Sequence, residues 1–172
     1  MSEYIGLAVW NFREGSVAER VERLVRLGFD AVSLSGGDAC ALCRGLLPEL
    51  DEAIAHHDLA VTFHASFAAG GQPVPVETLL EDFALFLRWH QRTGALNSVN
   101  YDALSSRSPD GEKHYDAEAM RSVLKWMLSA SNGAGFSVGV EDWPRTSEQF
   151  EEAKELASYA HYGILIDLGH LN

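Results

Sequence analysis

Short runs rich in β-branched and aromatic residues alternate along the chain with longer segments whose apolar residues recur three and four positions apart. The first run, Tyr4–Trp10, precedes a helical stripe of Val17, Val21, Leu24 and Val25 that Gly28 is expected to stop. Phe29–Ser35 reads as a second strand. A helix from about Leu46 to His57 leads to the third, Leu59–Ala65, which opens into the Gly/Pro-rich segment Ala69–Pro75, placed where a mobile lid would sit. The next helix carries Leu79, Leu80, Phe83, Leu87 and His90 down one side and ends near Gly94. Leu96–Asp102 is the fourth strand, followed by the polar stretch Ser105–Gly111 and a helix with Met120, Val123, Leu124, Met127 and Leu128 inward, stopping at Asn132-Gly133. Phe136–Trp143 holds the fifth strand. Thr146 or Ser147 then caps an acidic helix through Phe150, Ala153, Leu156 and Ala157, before a sixth apolar run from Tyr162.

Six β-then-α units with short connections predict an α/β protein with a parallel sheet, either closing as a barrel or open and doubly wound. The first β-to-α turn, Trp10–Gly15, contains neither a dinucleotide-binding nor a P-loop glycine pattern, which disfavours the nucleotide-binding open sheets. No linker or low-complexity tract interrupts the pattern, so residues 1–172 are expected to form a single domain.

Composition narrows the partners. An apolar fraction of 47% in 172 residues is enough for one packed core. With 25 acidic against 13 basic residues the net charge is −12, which disfavours a nucleic-acid partner because phosphate binding draws on Lys and Arg. No apolar stretch approaches the roughly twenty residues of a membrane span, and the start lacks a secretory pattern, so a cytoplasmic protein is expected. Cys40 and Cys43, in the order Cys-Ala-Leu-Cys, define neither a disulfide framework nor a four-ligand zinc site. They read as reduced thiols packed at the start of a helix, rather than as a thioredoxin-like pair.

Chemistry concentrates at strand tips. Glu141 ends an otherwise apolar run, and Asp167 ends the next, with His170 three positions on. Because alternate side chains of a strand share a face, Gly139 and Glu141 lie on one side, as do Gly163, Leu165 and Asp167, leaving small residues beneath each carboxylate. His64 has the parity of Thr62 on the third strand and is placed to join them. Such a carboxylate and imidazole mixture suits Mn²⁺, Mg²⁺, Co²⁺ or Zn²⁺. Asn100, Tyr101 and Asp102, where the fourth strand opens, are weaker pocket candidates. His56, His57, His90, His114 and His161 fall on helices or loops and read as structural or surface residues.

The strand order, with Phe-His-Ala-Ser at the third strand, Val-Glu-Asp-Trp at the fifth and Asp-Leu-Gly-His at the sixth, resembles the xylose isomerase-like TIM barrels. That group includes sugar and sugar phosphate isomerases and epimerases, inositol-degrading enzymes and repair nucleases of the endonuclease IV type. The resemblance implies a parallel (β/α) TIM barrel, incomplete with six of eight strand-helix units. It implies a divalent metal held by Glu141 and Asp167, proton transfer by Glu141 and His170 next to a sugar carbonyl, and a substrate pocket lined by His64, Trp10, Trp143 and His170. The His and Glu that the seventh and eighth strands supply in the family lie outside these 172 residues. The expectation is a fragment of a longer barrel, or a homo-oligomer whose partner chain completes the open sheet. Two further readings stand beside the sugar isomerase or epimerase: a truncated or non-catalytic family member, and an endonuclease IV-like phosphodiesterase acting on abasic DNA.

Overall fold

The computed structural model describes residues 4–69, 72–102, 117–141 and 147–165. In chain order the elements begin with β1 (Gly6–Ala8), α1 (Val17–Arg26), β2 (Ala31–Ser35), α2 (Gly36–Cys43), α3 (Pro48–His57) and β3 (Ala60–Ala65). Two short strands, β4 (Ala68–Ala69) and β5 (Gln72–Pro73), precede α4 (Val76–Thr93) and β6 (Leu96–Tyr101). Then come α5 (Ala117–Ala134), β7 (Ser137–Glu141), α6 (Ser147–Leu156) and β8 (Tyr162–Leu165). Six strands form one sheet in the order β1-β2-β3-β6-β7-β8, alternating with helices, and β1 and β8 are its end strands. The recorded pairings β1–β2, β2–β3 and β7–β8 are all parallel.

By their contacts the residues group into two units: Met1–His64 with Ala84–Ser98, and Ala65–Phe83 with Val99–Asn172. In the first, Ser16 opens α1 with a capping box, its hydroxyl accepting from the Glu19 N–H while the Glu19 carboxylate accepts from the Ser16 N–H. Val21 and Leu24 of α1 are buried, and α1 packs along α3, where His57 Nε2 lies 3.0 Å from Glu22 Oε1. Phe63 of β3 sits against Phe86 and Trp89 of α4, with ring centroids 4.8 and 5.3 Å apart. Asp51 of α3 accepts from the Trp89 indole at 2.9 Å and from Arg92 at 2.8 Å.

In the second unit, Phe83 meets Trp126 and Phe136, each at 5.8 Å between centroids, and Phe67 stacks on Tyr101 at 4.4 Å. Val123, Leu124, Met127 and Leu128 of α5 are buried. Val138, Gly139, Val140 and Glu141 are buried in succession, as expected of a parallel strand covered on both faces.

Several boundaries depart from the sequence reading. The first strand stops at Ala8, and Trp10 belongs to a 3₁₀ turn over Val9–Asn11. Two helices, not one, join β2 to β3. The first is signalled by Ser35 and Asp38, whose side chains form the cap of α2, and the second by Pro48, whose fixed φ suits a first helical turn. Cys40 and Cys43 therefore lie near the end of a helix rather than at its start. In the Ala69–Pro75 segment, expected to sit where a mobile lid would, Ala69 pairs antiparallel with Gln72, and the preceding Ala68 with Pro73. On α4 the fully buried residues are Leu79, Phe83, Phe86 and Trp89, with Leu80, Leu87 and His90 half-buried beside them. The helix α5 runs through Gly133 to Ala134, and Gly135, at φ +91°, ends it. The Ser105–Gly111 stretch, His114, Thr146 and the side chains of Met120 and Phe150 lie outside the described residues.

Candidate metal centre

The two faces of the strands differ sharply in chemistry. In the first unit, Val32, Leu34, Val61 and Phe63 are buried on one side of β2 and β3. Ser33, Ser35, Thr62 and His64, of opposite parity, are half-buried on the other, with Ser33 facing Thr62 and Ser35 facing His64 across the ladder. The hydroxyls of Thr62 and Ser98 lie 3.1 Å apart. In the second unit the same alternation leaves Val99 and Tyr101 buried and Asn100 half-buried. Asp102 follows the last residue of β6, and its N–H donates to the Ala65 carbonyl at 3.1 Å, which continues the ladder and fixes Asp102 at the strand tip.

Glu141, the last residue of β7, is only 4% exposed. Within the second unit, a ligand atom of Asp102 lies within 4.8 Å of one of Glu141. Donors sharing one small divalent ion at bond lengths of about 2.1 Å stand roughly 3–4 Å apart, so a small closure of these two side chains would bring both onto one ion. The donor set also fits: two carboxylates balance a divalent charge, and a buried carboxylate is stabilised by a cation beside it. The residues present can hold the metal that the sequence pattern calls for.

The sequence candidates fall into three groups. Glu141 lies beside Asp102 in the second unit, and His64 stands near the end of β3 in the first. Trp10 stands at the same end, 42% exposed, with its ring edge-on to His64 at 5.4 Å between centroids. Asp167, His170 and Trp143 lie outside the described residues; β8 pairs Leu165 with Glu141, two positions before Asp167. Asp102 is the donor the sequence reading underweighted. Its signal was available, since Ser98, Asn100 and Asp102 continue one polar parity to a strand end as Gly139 and Glu141 do.

Two other features carry different chemistry. A cavity of about 440 Å³ lies at the amino ends of β3 and β6, lined by Leu59, Ala95, Arg92 and Asp51 among others, at the opposite end of the strands from His64. Cys43 is half-buried, and burial, reinforced by the neighbouring Cys40, pushes its thiol up to about 12. A thiol so rarely ionised is a poor nucleophile.

No protein-family model matches the chain, and no curated relative matches it in sequence. Solved structures do match. A D-psicose 3-epimerase determined in the presence of D-fructose aligns with a TM-score of 0.68 at 11% identity, over 96% of this chain and 63% of its own. The 3-keto-D-glucoside 4-epimerase of E. coli aligns at 0.67 and 16% identity, over 99% and 72%. An AP endonuclease of family 2 from Brucella melitensis aligns at 0.59 and 14%, over 96% and 69%. The shared fold is that of the xylose isomerase-like TIM barrel. The chain spans less than two thirds of the length of the D-psicose 3-epimerase.

Proposed function

We propose that this protein acts as a divalent-metal-dependent sugar or sugar phosphate isomerase or epimerase, moving a proton next to a carbonyl. The observation that carries the reading is the pairing of Asp102 with Glu141 at strand tips, in a fold whose solved examples include two sugar epimerases and in which His64 ends another strand. In this reading Asp102 and Glu141 hold the ion, with His64 and Asp167 as further ligands. Bound there, the metal supplies positive charge against the negative charge that develops on a carbonyl oxygen when the adjacent C–H proton leaves.

The chain's own groups do the rest. Glu141, a carboxylate at an apolar strand tip, accepts the proton through one oxygen and returns it to the neighbouring carbon in an isomerisation. In an epimerisation the proton comes back to the same carbon from the opposite face, and His170 is the second proton carrier. Trp10 offers an exposed aromatic surface to sugar C–H groups, a role Trp143 shares in this reading.

Titration with Mn²⁺, followed by water-proton relaxation, tests the centre directly. Glu141→Gln and Asp102→Asn are each expected to weaken Mn²⁺ at least tenfold, and Glu141→Gln to abolish exchange of solvent deuterium into D-fructose beside its carbonyl. Unchanged Mn²⁺ affinity in both variants rejects the reading. The likeness to an AP endonuclease supports a second one, cleavage of abasic DNA by the same residues. The surplus of 25 acidic over 13 basic residues opposes it. Salt-sensitive nicking of an abasic duplex, without deuterium exchange, would reverse that preference.

A further inference from the structure

Gly139 lies in the middle of a strand, where glycine weakens the ladder and leaves nothing to pack. Its φ lies outside the left-handed range, so backbone conformation does not require a glycine here. Space does. A Cβ on Gly139 would stand 2.6 Å from Asn100 Oδ1, 3.6 Å from Asn100 Cγ and 3.4 Å from the Gly163 carbonyl oxygen. Gly139 pairs with Gly163 across β7 and β8, and the Asn100 carboxamide rests against Gly139.

That position has consequences for the site. Gly139 is two residues before Glu141 and Asn100 two before Asp102, so the carboxamide occupies the layer beneath both carboxylates, on their face of the strands. Asn100 is half-buried, whereas its neighbours Val99 and Tyr101 are buried. A carboxamide is neutral and both donates and accepts, which suits a hydroxyl group better than it suits a metal ion.

We propose that Asn100 is a specificity-determining residue, its carboxamide seated over Gly139 so as to bind a hydroxyl of a polyol held above Asp102 and Glu141. The inference rests on the sugar-binding reading and narrows it to substrates with a hydroxyl within reach of that layer. A site that hydrogen-bonds a substrate hydroxyl discriminates strongly against molecules lacking it, because its own polar group is then left without a partner.

The test is a calorimetric titration with D-fructose, with and without Mn²⁺, of the wild type, Asn100→Ala, Gly139→Ala and the double variant. Asn100→Ala is expected to weaken D-fructose at least tenfold and to leave Mn²⁺ affinity within twofold, a split that a merely structural role would not produce. Gly139→Ala should match it by displacing the carboxamide, and the double variant should bind no worse than Asn100→Ala alone. Unchanged D-fructose affinity in Asn100→Ala overturns the inference, as does a double variant in which the two losses add. A wild type that binds no D-fructose under either condition overturns it too. Loss of Mn²⁺ binding alone, with D-fructose binding still dependent on Asn100, would sink the metal reading and leave this one standing. Should Gly139→Ala fail to fold, Asn100→Ala decides, since truncation only opens space.

Discussion

Asp51 serves two donors of unequal worth. The Trp89 indole it accepts from belongs to a side chain only 2% exposed, whereas the Arg92 guanidinium is more than half exposed. Removing the acceptor strands a buried N–H, at about 1–3 kcal/mol, while an exposed ion pair contributes about 0–1 kcal/mol. Asp51→Ala is therefore expected to lower the free energy of unfolding by about 2 kcal/mol in urea, and Arg92→Ala by less than half of that. Equal losses would show that the ion pair matters as much as the indole. Cys43 gives a pH signature at the same scale. Its thiol is raised from 9.0 to about 12 by burial, so the native state keeps a proton that the unfolded chain releases above pH 9. That contribution is complete below pH 9 and lost as pH climbs towards 12. Between pH 8 and 10, Cys43→Ala should lose less of its urea midpoint than the wild type does. Parallel losses would place the thiol in water.

Two glycines near the start of β7 show what the sequence makes legible about elements and what it does not. Asn132-Gly133 looks like a helix stop, because glycine commonly ends helices, but both residues continue α5 and the left-handed residue is Gly135. The packing of Val123, Leu124, Met127 and Leu128 carries the helix past its apparent signal, and the sequence gives no measure of that pull. Substitution should consequently have opposite signs two positions apart. Nothing lies within 4 Å of a Cβ at either site, so only backbone conformation decides. Gly133→Ala is expected to stabilise by about 0.5–1 kcal/mol, and Gly135→Ala to destabilise by about 1–2 kcal/mol. Thermal melts of the two variants check this, and a shared sign would refute the helix end. The six strands were readable because their β-branched runs stand apart from the helical stripes. The range of α2 was missed because it is only eight residues long, opens on Gly36 and Gly37, and is announced by little beyond the Ser35–Asp38 cap. Among the site residues, Glu141 was visible as a charge ending an apolar strand. Asp102 follows a strand whose polar face, Ser98 and Asn100, blurs that contrast.

For the molecule as a whole, charge and site make separable demands on the same cations. A chain of net charge −12 gathers divalent ions diffusely, relieving its self-repulsion in proportion to ionic strength and with little regard to which ion supplies it. The proposed centre would behave otherwise, because a donor set of one imidazole and two carboxylates favours Mn²⁺ or Co²⁺ over Ca²⁺. An ion bound only by the folded chain stabilises it by about 2.7 kcal/mol at a hundred times its dissociation constant. The melting temperature should accordingly rise further with Mn²⁺ than with Ca²⁺ at equal ionic strength. In Glu141→Gln the diffuse part should survive and the excess vanish, because one substitution barely alters the net charge but removes a donor. Identical shifts for the two ions, or an excess that persists in Glu141→Gln, would mean that the acidic surface alone collects the metal.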